Sequence, residues 1–332
     1  MSRRRLTERQ KARIQTIQNK RREAATTRAD NKLGSTATEA ARDGLVITRH
    51  GNNLLIEDPQ GALNQCLFRQ NIGHVVCGDE VIWQPTGDHE GVVTAIRPRR
   101  SILSRPDFNG HEKPLAANIT QIVVVIAPQP APAGYLLDQY LVAATAIDVR
   151  VVIAVNKADL LPHQDAPTEL AHILDIYADI GYPLIQISAR ESGGLQPLFD
   201  HLRDQTSILV GQSGVGKSSL VNACVPNRDV QTSRLSDKTG HGRHTTSSTS
   251  LYHLPFAGRL IDSPGVRSFR LGRIDRQTLE HGFIEFRETL GACRFSNCTH
   301  THEPGCALRA AVETGRIHPT RLHNLIHMAK NL

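Results

Sequence analysis

The sequence predicts a multidomain chain: a small N-terminal β-barrel, a central α/β domain, and a smaller, mainly helical C-terminal domain. Three observations predict it. Short apolar segments separated by Gly, Pro and Asn turns fill residues 43–96. From residue 121, β-branched runs alternate with segments of helical period. Beyond about residue 272 the chain becomes helical and rich in His and Cys.

Bulk properties bound the reading. A length of 332 residues suffices for two or three domains, and 39% hydrophobic content supports buried cores. No apolar run approaches the roughly 20 residues of a membrane span. The N-terminal MSRRRLTERQKARIQ carries no apolar stretch after its basic residues, so it does not read as a secretory signal. The expectation is a cytoplasmic protein. Residues 1–30 hold ten Lys/Arg against three Asp/Glu, an excess that equals the +7 formal charge of the whole chain. This region, extended to residues 1–40, reads as a basic arm that binds nucleic acid by counterion release.

Residues 41–105 are assigned to the barrel. Its five segments are Leu45–Ile47, Leu54–Ile56, Gln65–Phe68, Glu80–Trp83 and Gly91–Ile96, with Pro85-Thr86-Gly87 among the turns. The OB-fold, a nucleic-acid-binding barrel, is the obvious candidate. Trp83, the single Trp, reads as core rather than as a base-stacking platform, and Cys66 and Cys77 as packed. Arg97–Arg100 and Arg105-Pro106 read as linker.

Residues 106–271 are assigned to the α/β domain. Gln121–Ala127 is a near-continuous β-branched run, as in a parallel strand covered on both faces. A helix is expected over 136–147, a strand over 151–155, a helix over 167–180, a strand over 184–187 and a helix over 195–205. Ile208-Leu209-Val210 reads as the next strand and leads into Gly211-x-x-x-x-Gly216-Lys217-Ser218, after which a helix begins. Strand, Gly-rich loop and helix form a P-loop: backbone N–H groups and the helix N-terminus face phosphate oxygens, Lys217 reaches the β- and γ-phosphates, and Ser218 ligates Mg²⁺. Residues 231–250 are polar and nearly without apolar side chains, and strands are expected at 251–254 and 259–261.

Two further loops carry chemistry. Asn156-Lys157-Ala158-Asp159 follows a strand, and a carboxylate there can accept from guanine N1–H and the exocyclic amine, a donor pair adenine lacks. Asp262-Ser263-Pro264-Gly265 also follows a strand, where Asp262 can hold Mg²⁺ through water and the Gly265 N–H can sense a γ-phosphate. Residues 272–332 are assigned to a third domain with the pattern Cys293-x4-Cys298-x-His300-x5-Cys306, suited to a closed tetrahedral Zn²⁺ site, and with a basic helix near 319–331. His302 is a rival to His300 on spacing alone.

The order of these motifs is specific. Ordinary Ras-like domains run P-loop, switch I, DxxG, NKxD and SA. Here NKAD (156–159) and Ser188-Ala189 precede the P-loop (211–218), and DSPG (262–265) comes last. In this the chain resembles the circularly permuted GTPases. It most closely resembles the RsgA family of small-ribosomal-subunit biogenesis GTPases, through Arg100-Ser-Ile-Leu-Ser-Arg105-Pro106, the NKAD, P-loop and DSPG motifs, Gly242-Arg-His-Thr-Thr246 and the cysteine pattern.

The resemblance covers about residues 43–330. It implies an OB-fold, a permuted P-loop GTPase domain and a zinc domain with His300 as the fourth ligand. It implies Mg²⁺-dependent hydrolysis of GTP to GDP, and binding to the 30S subunit and its 16S rRNA late in assembly. It implies guanine-nucleotide contacts from Asn156, Lys157, Asp159, Ser188, Ala189, Asp262 and Gly265. The loop residues Gly211, Gln212, Ser213, Gly214, Val215, Gly216, Lys217, Ser218 and Ser219 complete that set. A Ras-like site positions the attacking water with a Gln just after DxxG, and here Val266 stands there. His244, flanked by Thr245 and Thr246, is the candidate in its place, with Lys217 stabilising the phosphoryl charge. Thr245 is favoured to complete the magnesium shell with Ser218 and Asp262, although the spacing also allows Thr246. A monomer is expected. The alternative reading is a GTP-regulated RNA-binding scaffold in which hydrolysis is incidental.

Overall fold

A computed structural model describes residues 40–69, 72–106, 112–161, 169–226, 249–263 and 274–332. These fall into two compact units. One holds the described residues up to Arg99 together with 249–251, and the other holds those from Arg100 to Pro226 and from Tyr252 to Leu332.

In the first unit, β1 (Arg42–His50), β2 (Asn53–Glu57), β3 (Leu63–Phe68), β4 (Glu80–Gly87) and β5 (Glu90–Ile96) close a barrel. The strand order is β1-β2-β3-β5-β4, with β4 returning to pair with β1 and β3 running parallel to β5. Alternating positions point inward, so Val46, Leu54, Ile56, Cys66, Phe68, Val81, Trp83 and Val93 share one core. Trp83 is buried and its Nε1–H donates to the Asp43 carbonyl at 3.2 Å. The turn expected at Pro85-Thr86-Gly87 is instead the end of β4, where a register shift between Pro85 and Gly87 accommodates a residue that cannot donate to the ladder.

The second unit begins at Arg100, inside the stretch whose sequence reads as linker. Residues expected to link the domains form β6 (Ile102–Pro106), which pairs antiparallel with β7 (Glu112–Ala117). Leu103, Ala116 and Ala117 are buried, which gives the ribbon a core face. Then come β8 (Gln121–Ile126), α1 (Gly134–Ala146), β9 (Arg150–Asn156), α2 (Glu169–Ile180), β10 (Leu184–Ile187), α3 (Gln196–Leu202), β11 (Thr206–Val210), α4 (Lys217–Cys224), β12 (Ser250–His253) and β13 (Arg259–Asp262). The five strands β10-β9-β8-β11-β13 are all parallel. Every β8 residue is buried, as the β-branched run requires of a central strand. α3 is shorter than its periodicity implied, because Asp204 takes a left-handed turn (φ 58°) that swings the chain into β11.

The C-terminal part adds α5 (Arg276–His281), a 3₁₀ turn at Ile284–Phe286, α6 (Ala307–Glu313) and α7 (Pro319–Ala329). Its core joins Leu279, Phe283, Phe286, Leu308, Ile317 and Leu325 to Val142 of α1, so α1 is shared between the sheet and the C-terminal helices. Among the described residues no helix is long and apolar enough to cross a membrane.

Candidate functional site

Because the five strands run parallel, their C-terminal ends lie on one edge of the sheet, where α/β folds place ligand sites. NKAD follows β9, Ser188-Ala189 follows β10, the Gly-rich loop follows β11, and DSPG begins at the last residue of β13. Motifs up to 106 residues apart in sequence, Asn156 to Asp262, are thus brought to one rim.

The Gly-rich loop needs its glycines for two different reasons. At Gly211, φ is 141°, and an added Cβ would stand 2.1 Å from the Val125 carbonyl oxygen of the neighbouring strand. At Gly216, φ is 99°, and an added Cβ would stand 2.3 Å from Asn156 Nδ2. Lys217 opens α4 and is buried, and its ammonium donates to Gly211 O at 2.7 Å and to Gln212 O. Ser218 and Ser219, on the first turn, are exposed, and Ser213 and Gly214 are exposed at the loop crest. First-turn N–H groups have no preceding carbonyl within their helix, so the turn presents donors and the positive end of the dipole.

NKAD is tied to this loop. Asn156 Nδ2 donates to Val215 O at 2.8 Å, while its buried Oδ1 has no hydrogen-bond partner among the described residues. Lys157, left-handed at φ 59°, donates from Nζ to Gly214 O at 2.8 Å and to Gln129 O at 2.7 Å. It therefore braces three loops together. Asp159 accepts from Ser188 Oγ at 2.7 Å and faces Arg190 Nη1 at 3.6 Å. Ser188 is buried and in turn accepts the Arg190 N–H at 3.2 Å, and Ala189 beside it is exposed. Gln129 and Arg190 were not among the residues read from the sequence. Arg190 directly follows Ser-Ala and so was open to inference, whereas Gln129 contributes a backbone carbonyl and leaves no side-chain signature. His244, Thr245, Thr246, Gly265 and Val266 lie outside the described residues.

A second cluster forms in the C-terminal part. One donor atom each from Cys293, Cys298, His300 and Cys306 lie within 4.8 Å of one another. His300 Nδ1 is 3.7 Å from Cys293 Sγ and 3.4 Å from Cys306 Sγ. Zn–S bonds of about 2.3 Å set tetrahedral edges of roughly 3.8 Å, so the spacing and the S₃N donor set fit a zinc ion. The other imidazole nitrogen, Nε2, faces Glu280 Oε1 at 3.3 Å, and Arg276 Nε holds that same oxygen at 2.6 Å. A carboxylate behind a ligating His fixes the tautomer that leaves Nδ1 free for the metal. The Ala307 N–H, at the start of α6, donates to Cys293 Sγ at 3.3 Å. Without metal, burial pushes the Cys298 thiol up to about 12. His302 is exposed, bonded to Thr301 Oγ1 at 2.8 Å, and stands outside the cluster. Glu280 and Arg276 had no sequence signal, because their relation to His300 arises only on folding.

Comparison with known proteins follows the same outline. The RsgA GTPase family profile matches residues 96–272. The chain is 45% identical over its whole length, and over 97% of the relative's, to the small ribosomal subunit biogenesis GTPase RsgA of Hahella chejuensis. It is 44% identical over its whole length, and over 98% of the relative's, to that of Ectopseudomonas mendocina. Among solved structures, YjeQ of Thermotoga maritima superposes with a TM-score of 0.71 at 31% identity, covering 88% of this chain and 99% of that one. YloQ, described as a circularly permuted GTPase, superposes at 0.69 with 28% identity, covering 88% and 95%.

Proposed function

The chain belongs to the RsgA GTPase family, and we propose that it hydrolyses GTP to GDP and phosphate on the 30S ribosomal subunit late in assembly, with the subunit stimulating hydrolysis and hydrolysis driving release. The observation that carries this reading is the meeting of NKAD, Ser188-Ala189, the Gly-rich loop and Asp262 at one edge of the parallel sheet.

In this reading Asp159, oriented by Ser188, accepts from guanine and discriminates against adenine by leaving a carboxylate unpaired with the wrong base. The Gly211–Ser219 backbone cradles the phosphates, and Lys217 leaves its loop carbonyls to meet the developing charge on the transferred phosphoryl group. Ser218, Thr245 and, through water, Asp262 would hold a Mg²⁺ ion, which would supply neutralisation of phosphate charge. His244 orients the attacking water. Cys293, Cys298, His300 and Cys306 would hold one Zn²⁺ with four protein ligands, in a structural rather than a catalytic role. The basic arm, the barrel and the zinc domain flank the GTPase domain along the chain and bind 16S rRNA. The protein acts as a cytoplasmic monomer.

The test is GTP turnover by the purified protein, alone and with 30S subunits, for wild type and His244→Ala. Strong stimulation that His244→Ala abolishes, with nucleotide and subunit binding retained, supports the reading. Stimulation that survives the substitution removes His244 from it. Absence of stimulation replaces it with a GTP-regulated RNA-binding scaffold.

A further inference from the structure

Among the described residues Phe295 is the only exposed Phe, Tyr or Trp, 41% accessible. The aromatic residues of the barrel are not available in this way. Trp83 and Phe68 are buried in its core, and the guanidinium of Arg49 lies 4.9 Å from the Phe68 ring. Phe295 stands on the short loop between Cys293 and Cys298, two members of the metal-type cluster. Both flanks of the loop are fixed. The Arg294 N–H donates to Gly305 O at 3.0 Å, and the Cys298 N–H closes a turn on Phe295 O at 3.2 Å. The backbone that presents the exposed ring is therefore held in place, and a pre-ordered loop loses little entropy on binding. Beside it the Arg294 guanidinium lies 5.5 Å from the ring centroid. The rest of the loop, Ser296 and Asn297, is exposed and polar. A protein-docking patch gathers several apolar side chains, whereas one aromatic with an adjoining guanidinium and small hydrogen-bonding groups matches recognition of an unpaired nucleotide.

From this geometry we propose that Phe295 stacks on an unpaired base of ribosomal RNA while Arg294 contacts the neighbouring phosphate. The inference rests on the small-subunit reading above and assigns it a contact residue. Aromatic stacking is tolerant of base identity, so the ligand class is a single-stranded nucleotide rather than a defined sequence.

The test uses the full-length protein loaded with a non-hydrolysable GTP analogue and purified 30S subunits. Wild type, Phe295→Ala, Phe295→Leu and Phe295→Trp are compared by co-sedimentation over a salt series, with zinc content and subunit-free turnover measured on each. Phe295→Ala and Phe295→Leu are expected to bind about tenfold more weakly with an unchanged salt slope, and Phe295→Trp to bind like wild type. The Trp variant should also show an indole fluorescence change on binding, because Trp83 is buried. Affinity for Phe295→Ala equal to wild type overturns the proposal. So does recovery in Phe295→Leu, which would mark an apolar protein contact instead. If Phe295→Ala loses zinc, the Leu and Trp variants decide. Wild type that fails to bind 30S sinks the small-subunit reading itself, and this inference with it.

Discussion

Asp159 meets two partners of different character. Ser188 Oγ, on a buried residue, donates to one oxygen at 2.7 Å, and the exposed Arg190 faces the other at 3.6 Å. The first fixes the carboxylate, while the second is long and solvent-screened. Asp159→Asn is expected to reduce GTP affinity by more than about a hundredfold and to admit xanthosine triphosphate, because the amide then donates where the carboxylate accepted. Competition binding with the two nucleotides measures it, and undiminished GTP affinity would remove Asp159 from base recognition. At the cysteine cluster, Glu280 orients His300 without being a ligand. Glu280→Gln is expected to weaken zinc binding by about 10–100-fold, read by competition with a chromogenic chelator. The sequence pointed to both clusters through their spacing, but not to Glu280 or Arg276. Side chains that act on a motif from another element have no fixed separation from it.

Helix α7 is joined to α1 and α2 by a buried polar network. Arg321, 1% accessible, pairs with Asp138 of α1 and forks onto Glu285 at 2.6 and 3.0 Å. Asn324 Nδ2 donates to the second Asp138 oxygen at 2.7 Å, and Tyr177 of α2 bonds Asp138 as well. The guanidinium also lies 4.5 Å from the Phe283 ring centroid. Burial works against its charge, yet the Asp138 and Glu285 carboxylates outweigh burial and raise its pKa. Arg321→Met leaves Asp138 buried without its cation and is expected to cost about 3–5 kcal/mol in urea unfolding. The double variant Asp138→Leu/Arg321→Met should recover part of that loss, and a fully additive loss would mean that the two side chains do not act as a pair. At the start of α7, His318 is the N-cap and accepts the Thr320 N–H on Nδ1 at 3.3 Å. Burial, then the neighbouring His172, lowers its pKa. A depressed imidazole favours folding in its neutral form, so its contribution is full above about pH 6.5 and is lost as pH falls. His318→Asn keeps a cap without a titrating group, and the Tm gap between pH 7.5 and pH 5.5 should narrow relative to wild type. Strands and helices were legible where the period was strong, as in β8 and α1. Residues 102–106 were not, because Arg and Pro at the flanks masked a ribbon whose pairing partner lies beyond Pro106. Nor was the α1–α7 network, whose members are 183 residues apart.

Charge and chain connectivity act across the entire protein. The excess positive charge sits in residues 1–30, so deleting 1–40 should weaken 30S binding and flatten its salt dependence by about 0.7–0.9 log units per log unit of salt for each phosphate the arm neutralises. An unchanged slope would count against the arm. DSPG runs directly into the segment that leads to the cysteine cluster, so in the proposed function a loop that senses the γ-phosphate would be covalently joined to a domain that binds RNA. α1 offers the C-terminal helices a second, packed connection to the sheet through Val142 and Asp138. The permuted motif order made this arrangement legible in the sequence, because only one circular permutation of the Ras-like order places DSPG last.

The proposed function requires bound nucleotide to set the grip on the small subunit. Co-sedimentation with 30S particles, using protein loaded either with a non-hydrolysable GTP analogue or with GDP, tests it most directly. Stoichiometric retention is expected with the analogue, and affinity lower by about tenfold or more with GDP. Equal retention in both states would contradict it and leave an RNA-binding protein whose GTP site does not govern release.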